Sequence, residues 1–199
     1  MKDFTAPLQP PGPRGRRLLE AFSPKLGRRV RLFDHRRFQQ WLRLEADPSV
    51  LAFCERSARL GLQPDARLVD FWVRRHDGET MLLLEPAAEG ALPQQVEGVD
   101  LQVVSAAEMA ADSVWTANWQ RMLPVVTATR SLVPKALTKA VLHYLREPAP
   151  LSSVEWSLRR GDPCLVRGAV FDLLRTGRIA APSLHVAPLT LHTMLETAA

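Results

Sequence analysis

Hydrophobic and polar positions in the first third of the chain follow two periods, one helical and one that alternates at every second residue. Residues 34–45 carry an apolar stripe with helical spacing. The stripe consists of Phe38, Trp41, Leu42 and Leu44. Asp34 precedes it as an expected N-cap. The pair Asp47-Pro48 then predicts the start of a second, short helix, and a strand is expected over residues 58–62.

A β-hairpin is the clearest feature of the alternating pattern. Residues 68–75 and 80–85 are apolar-rich runs that flank the sequence His76-Asp77-Gly78-Glu79. Asp-Gly between two such runs is typical of a two-residue turn, because that turn requires positive φ angles. If this dipeptide forms the turn, Asp70 and Glu85 lie directly opposite each other, with their Cβ atoms roughly 4.5–5.5 Å apart.

The middle of the chain predicts one further strand and a helical region. Residues 99–104 read as a strand, and Ser105 and Glu108 form a capping box for the helix that follows. Helical structure is expected to continue, with a break, as far as Met122. Residues 124–132 are expected to be a linker.

The last third predicts three helices followed by a hairpin. An amphipathic helix is expected over residues 134–146, and a short helix opens at a Ser-x-x-Glu capping box at residues 152–155. Asp162-Pro163 predicts the start of a third helix, which ends before Gly177. Two strand-like pieces follow between residues 178 and 186. Helix, short helix, helix and hairpin is the element order of a winged helix.

Composition is that of an ordinary folded protein, with 46% hydrophobic and 24% charged residues among 199. The sequence has no run of 18 apolar residues and no apolar leader, so we expect no membrane span and a cytoplasmic location. The net charge is +5, and residues 1–43 hold 11 Lys and Arg against three acids. Such a basic arm is typical of contact with nucleic acid or another polyanion; a solvated tail gives the same pattern.

The cysteines and tryptophans are expected to be structural. Cys54 and Cys164 lie far apart in apolar surroundings, which predicts buried, reduced thiols within helices rather than a disulfide or a zinc site. Trp115, Trp119 and Trp156 are expected to belong to the core.

The opposed carboxylates of Asp70 and Glu85 indicate metal chemistry. Facing like charges repel unless a cation lies between them, and carboxylate oxygens suit Mg²⁺ or Mn²⁺. Such an ion can neutralise a phosphodiester and lower the pKa of an attacking water. A third acid or base is available at Asp34, His35 or Glu45. Alternatively, the paired acids are strand-end residues facing water, and a register shift of one residue would place them on different faces.

Several short blocks occur in an order shared with one protein family. The first helix ends in Leu44-Glu45-Ala46-Asp47-Pro48, and Phe53-Cys54-Glu55-Arg56 follows. Arg67-Leu68-Val69-Asp70-Phe71 opens the hairpin, and Leu101-Gln102-Val103-Val104-Ser105 and Asn118-Trp119-Gln120-Arg121-Met122-Leu123 come later. In this order the blocks resemble the TnsA-like endonuclease subunits of heteromeric transposases.

The resemblance covers roughly residues 28–195 and implies an α+β or α/β fold in two domains. It implies a restriction-endonuclease-like mixed sheet with flanking helices over residues 28–126. A mostly helical winged-helix domain over residues 133–199 would follow. Residues 1–27 would be a basic, Pro-rich arm.

The resemblance further implies cleavage of double-stranded DNA at transposon ends, with Mg²⁺ or Mn²⁺, beside a partner transposase and a regulatory ATPase. Asp70 matches the family's metal-binding aspartate, and Glu85 is the best match for its second acid. The family's lysine falls on Ala87, so we expect weak or lost catalysis. Sliding the match by two residues would put Glu85 at the lysine position and Leu83 at the acid position.

Arginines of both domains are expected to contact DNA phosphates, which supply affinity without sequence information. They are Arg28, Arg29, Arg31, Arg36, Arg37, Arg159, Arg160, Arg167 and Arg178. Two other interpretations stay open. One is a non-catalytic DNA-binding or assembly adaptor that keeps the nuclease fold as a scaffold, which the missing lysine favours. The other is a winged-helix transcription regulator with an unrelated sensor domain.

Overall fold

The structure is a computed structural model in which residues 4–8, 17–84, 92–159 and 162–198 are described. Its architecture is α+β, with a five-stranded mixed sheet and flanking helices. The chain divides into two units. The first comprises Met1–Leu44 and Ser49–Ala111, and the second comprises Glu45–Pro48 and Asp112–Ala199. The division at Ala111 and Asp112 comes before the predicted domain limit at residue 126.

The first unit contains a hairpin, a helix, the mixed sheet and a short second helix. The elements are β1 (Leu19–Ser23), β2 (Arg28–Leu32), α1 (His35–Ala46), β3 (Val50–Glu55), β4 (Phe71–Arg75), β5 (Gly78–Leu83), β6 (Gln95–Val96), β7 (Val99–Val103) and α2 (Ala106–Ala111). Strands β3, β4 and β5 form an antiparallel meander, β5 pairs with β7 in parallel, and β6 pairs antiparallel with β7. The β1–β2 hairpin crosses the predicted limit of the basic arm at residue 27.

One apolar cluster lies against this sheet and includes a residue from the N-terminal segment. Cys54, Trp72, Met81 and Val96 are buried in it, and so is Phe4. The Phe4 ring lies 6.0 Å from that of Trp72. Residues 4–8 are therefore attached to the first unit, although the resemblance assigns them to a basic, Pro-rich arm that precedes the nuclease-like domain.

Local capping signals around α1 are partly confirmed. The carboxylate of Asp34 accepts a hydrogen bond from the Arg37 amide at 2.8 Å, so Asp34 caps the helix as predicted. The helix predicted from Asp47-Pro48 is wrong, because a turn there leads directly into β3. Residues of β3 are buried between neighbouring elements, and strand pairing with β4 outweighs the local capping signal. Residues 58–62 form no strand; Arg59 and Leu68 make an isolated bridge.

The middle strand and the first capping box are as predicted. Strand β7 ends at Val103, within the expected range. The Glu108 amide donates to the Ser105 hydroxyl at 3.1 Å, and the Ser105 amide donates to the Glu108 carboxylate at 2.6 Å. This reciprocal pair opens α2 and lowers the pKa of the exposed Glu108 carboxyl through the hydrogen bonds from Ser105.

The second unit is mostly helical and has a small three-stranded sheet. Its elements are α3 (Ser113–Thr129), α4 (Lys135–Tyr144), β8 (Ala149–Pro150), α5 (Leu151–Leu158), α6 (Pro163–Arg175), β9 (Ile179–Ala180), a 3-10 helix (Pro182–His185) and β10 (Met194–Thr197). The strand order is β8, β10, β9, and β10 is antiparallel to both neighbours.

Helix α3 occupies residues 124–129 of the linker predicted over residues 124–132. It passes through Pro124 and ends at Thr129. A proline inside a helix costs about 3 kcal/mol because it removes one backbone hydrogen bond and crowds the preceding turn. Burial of Met122, Leu123 and Val126 around it offsets this cost.

Two further predictions for the second unit need correction. The capping box at residues 152–155 does not form, because α5 begins at Leu151 and the Ser152 amide donates to the Leu191 carbonyl at 2.9 Å. The second strand of the predicted hairpin is instead the 3-10 helix, and the strand that pairs with β9 lies later, at β10. Both predictions fail because the partner that decides the local structure is distant in sequence. That partner is Leu191 for Ser152, and β10 for β9.

The start and end of α6 are as predicted. The Asp162 carboxylate accepts from the Cys164 amide at 2.8 Å, and Pro163 occupies the first turn. The helix stops before Gly177, whose φ of 67° is a left-handed conformation that glycine adopts without strain.

Burial of the cysteines and tryptophans differs from the prediction. Cys54 is fully buried but lies on a strand, β3, and Cys164 is exposed on α6. Trp119 is buried, as predicted, and Trp115 stacks on a histidine ring at 4.1 Å. Trp156 is 67% exposed, so it does not belong to the core.

Helices α3 and α6 approach closely at one glycine. A Cβ atom built on Gly168 would lie 2.0 Å from Thr129 Oγ1 and 2.8 Å from Thr129 Cβ. Only a residue without a side chain fits there, because neither helix backbone can retreat without opening buried contacts.

We expect Gly168→Ala to lower the free energy of unfolding of the second unit by about 1–3 kcal/mol, the usual cost of overpacking a core. Urea unfolding measures it, with Gly61→Ala as the control, because a Cβ there would meet Ala66 Cβ at an ordinary 3.6 Å. Adding Thr129→Ala should recover much of the loss. Equal stability of the two glycine variants would contradict the close helix contact.

Candidate functional site

Asp70 lies immediately before β4 and is held by three neighbouring segments. Its side chain is 2% exposed. Its amide donates to the Leu82 carbonyl at 2.9 Å, and its carbonyl accepts from the Arg56 amide at 3.2 Å. The residue predicted to bind a metal is thus a buried junction between β3, β4 and β5.

Both carboxylate oxygens of Asp70 accept hydrogen bonds. Oδ1 accepts from Arg37 Nε at 2.7 Å and lies 2.6 Å from Arg37 Nη2. Oδ2 accepts from the Leu84 amide at 2.7 Å. Arg67 Nη2 is 3.8 Å from Oδ2. The buried negative charge of Asp70 is therefore compensated by the Arg37 side chain of α1 and by the Leu84 amide, which directly follows β5.

Arg37 connects Asp70 to the cap of α1. Its Nη1 forms an ion pair with Asp34, whose other oxygen caps the helix. Burial alone would lower the pKa of the Arg37 guanidinium, but the charges of Asp70 and Asp34 outweigh burial and raise it. Arg37 is thus a permanent cation between two carboxylates.

Glu55 is a second buried carboxylate that the sequence analysis did not single out as a site residue. Its side chain is 3% exposed, and Arg28 binds it through two bonds of 2.9 and 2.7 Å. The hydrogen bond to Glu55 raises the pKa of Arg28, although burial opposes it. Arg56 directly follows Glu55. The Arg56 guanidinium lies 4.8 Å from the Phe33 ring centre, and burial lowers the pKa of this guanidinium. The sequence signal that could have identified Glu55 is a glutamate at the end of an apolar strand, directly followed by an arginine.

The hairpin register differs from the prediction. Arg75 pairs with Gly78, so the turn consists of His76 and Asp77 and begins one residue early. The last pair of the ladder is Phe71 with Leu82, which leaves Asp70 beside Leu83 and Leu84 rather than opposite Glu85. Glu85 and Ala87 lie outside the described residues.

The three candidates for a third acid or base lie in different surroundings. Asp34 belongs to the Arg37 ion pair. His35 is exposed, and its ring stacks 6.3 Å from that of Phe38. Glu45 is fully buried in the second unit, where its carboxylate is 3.7 Å from Arg175. Of the three, only Asp34 shares a partner with Asp70.

Among the residues that the structure describes, the donor set around Asp70 does not fit a metal ion. The described residues contain no cluster of three or more His, Cys, Asp or Glu side chains that could hold one. Mg²⁺ takes six oxygen ligands at about 2.0–2.1 Å, whereas the oxygens of Asp70 already face a guanidinium and an amide. No step of metal-assisted hydrolysis follows from this arrangement.

The predicted DNA-binding arginines fall into two groups. Arg28, Arg37 and Arg167 are held by carboxylates, the last through an ion pair with Glu155 whose hydrogen bond raises the pKa of Arg167. Exposed Arg31 pairs with an exposed glutamate at 2.7 Å. The other exposed members are Arg29, Arg36, Arg159 and Arg178. Arg160 lies outside the described residues.

Helix α6 is buried along most of its length. Its buried residues are Val166, Gly168, Ala169, Val170, Phe171, Leu173 and Leu174. Residues of α3, α4 and α5 surround it, and Pro163, Cys164 and Arg167 on it are exposed. A cavity of about 370 Å³ opens beside it between α4 and α5, lined by Leu137, Ala140 and Leu165 among others.

No model of a known protein family matches the chain, and no curated protein sequence matches it significantly. The resemblance to TnsA-like subunits therefore stays a prediction. No helix among the described residues is both long and apolar enough to cross a membrane.

We expect Arg37→Ala to lower the free energy of unfolding by about 3–5 kcal/mol, because it leaves the buried Asp70 charge without its main partner. Arg36→Ala, at the exposed neighbouring position, is the matched control and should cost no more than about 1 kcal/mol. Urea unfolding of both variants measures the difference. If Arg37→Ala were as stable as the control, the ion pair would not hold the fold.

The two thiols should react very differently. Burial, aided by the charge of Glu55, raises the pKa of Cys54 to about 12, and a hydrogen bond to Asp162 raises that of the exposed Cys164. With a chromogenic disulfide reagent we expect one thiol to react slowly in the native protein and two after unfolding. Cys164→Ser should abolish native labelling, and Cys54→Ser should not. Rapid native labelling of Cys54 would contradict its burial.

Proposed function

We propose that the chain is a subunit of a DNA transposition complex and is similar to TnsA. In this proposal the first unit is a nuclease-like unit that binds DNA but no longer cleaves it. The observation that carries the proposal is the Asp70 carboxylate, which faces Arg37 and the Leu84 amide. An aspartate at the start of the second meander strand is where the resemblance puts the metal ligand. Here its surroundings favour a structural role over hydrolysis.

The element order of the first unit supports the nuclease-like assignment. A helix precedes three antiparallel strands, and a later strand joins β5 in parallel before a helix follows. Leu83 and Leu84 beside Asp70 supply no second acid. The same features support the adaptor interpretation, in which a nuclease scaffold survives without its chemistry.

We propose that residues 133–199 of the second unit form a winged helix. The order α4, β8, α5, α6, β9, β10, with β10 between the other two strands, supports it. Burial of α6 and the pairing of Arg167 with Glu155 favour a protein partner over base reading for this part. The expected partners are a transposase and a regulatory ATPase.

DNA contact is then assigned to exposed arginines of the first unit. Arg29 on β2 and Arg36 on α1 are both exposed. Cations at such positions bind phosphates without sequence preference and release counterions as they bind. Affinity should therefore be modest and should fall steeply as salt rises.

We expect fluorescence anisotropy with a labelled duplex to show salt-dependent binding, and the double variant Arg29→Ala/Arg36→Ala to reduce the salt slope by about 2. Arg167→Ala is the matched control and should leave affinity and slope unchanged, since Glu155 holds that guanidinium. The same duplex should stay intact in Mn²⁺.

Three outcomes would count against the proposal. Loss of binding in Arg167→Ala alone would move DNA contact to α6. Absence of wild-type binding at low salt would leave only the protein-assembly role. Cleavage of the duplex that disappears in Asp70→Asn would restore the metal-dependent nuclease.

A further inference from the structure

Arg37 lies where two carboxylates from separate elements meet. Its Nε and Nη2 face Oδ1 of Asp70, at 2.7 and 2.6 Å, while Nη1 pairs with Asp34. Asp34 caps α1, and Asp70 precedes β4. The guanidinium thus joins the start of a helix to the start of a strand.

A cation is required at this position. Asp70 is 2% exposed, so water cannot compensate its charge. Two carboxylates that approach the same point repel unless a positive charge lies between them. A guanidinium meets the requirement because it is planar, always charged and able to donate from several nitrogens at once.

A guanidinium and a divalent ion exclude each other here. An ion would have to replace the Arg37 bonds at Oδ1 of Asp70, and Oδ2 is engaged by the Leu84 amide. A guanidinium within a few ångströms of a divalent cation would also be repelled by it. The position therefore holds either the guanidinium or a divalent ion, but not both.

We propose that the Arg37 guanidinium replaces the divalent cation in the nuclease-like unit, which makes this unit independent of metal. Removal of the guanidinium leaves Asp34 and Asp70 on either side of the position that it held, with Arg67 still 3.8 Å from Oδ2 of Asp70. A hard divalent ion such as Mn²⁺ can bind at that position. This inference rests on the nuclease-like assignment of the first unit in the proposed function, but not on DNA binding or on a role in transposition.

The test uses MnCl₂ and the full chain, with unfolding followed by differential scanning fluorimetry. Wild type and Arg36→Ala should show no change in Tm with Mn²⁺. The Tm of Arg37→Ala should be lower without metal and should rise by about 3–6 °C when the metal is some tenfold above its Kd. Arg37→Ala/Asp70→Asn should show no such rise, because one of the two carboxylates is gone.

Calorimetric titration of wild type and of Asp70→Asn with MnCl₂ tests directly whether the Arg37 guanidinium excludes a divalent ion. Saturable binding that Asp70→Asn abolishes would overturn it, since metal and guanidinium would then coexist. If Arg37→Ala is unfolded without metal, circular dichroism replaces the Tm, and recovery of helix signal on adding Mn²⁺ is the expected result. Failure to recover, or a folded variant that ignores Mn²⁺, would overturn the latent site.

Discussion

The buried charge of Asp70 is the constraint on which the first unit depends. Its carboxylate binds Arg37 of α1 and the amide that ends β5, while its backbone bonds to Leu82 and Arg56. One residue therefore joins α1 to three strands. A buried ion pair gains little net stability over an apolar contact of the same volume, because both charges lose their water. What it supplies is specificity, since only one placement of α1 leaves neither charge unpaired.

The identity of the cation decides what such a carboxylate can do. A metal ion accepts further ligands in open positions and lowers the pKa of a bound water, which makes a nucleophile at neutral pH. A guanidinium carries a single delocalised charge, is tethered to the chain and donates only hydrogen bonds. With Arg37 in contact, Asp70 contributes to the fold, and Asp34, the acid that shares this guanidinium, is paired in the same way.

Features decided within a few residues could be predicted from the sequence. The caps at Asp34, Ser105 and Asp162 form as expected because donor and acceptor are close along the chain. Distant partners could not be predicted. Asp70 was identified as important, but its partner Arg37 lies 33 positions away in the sequence and was assigned to DNA. The hairpin was predicted with its turn one residue late, which changed the residue facing Asp70, because side-chain pairing follows from register alone.

In the second unit, burial and ion pairing limit which arginines of α6 can contact DNA. The major groove of DNA admits a helix only when one face of the helix is free to contact base edges. Residues of α3, α4 and α5 pack around α6, and Gly168 on α6 permits contact with Thr129 too close for any larger residue. Its arginines are held by acids of the same unit, Arg167 by Glu155 and Arg175 by Asp172. Cations in such pairs have little free charge for phosphates, so a net positive sequence does not by itself make α6 a recognition helix.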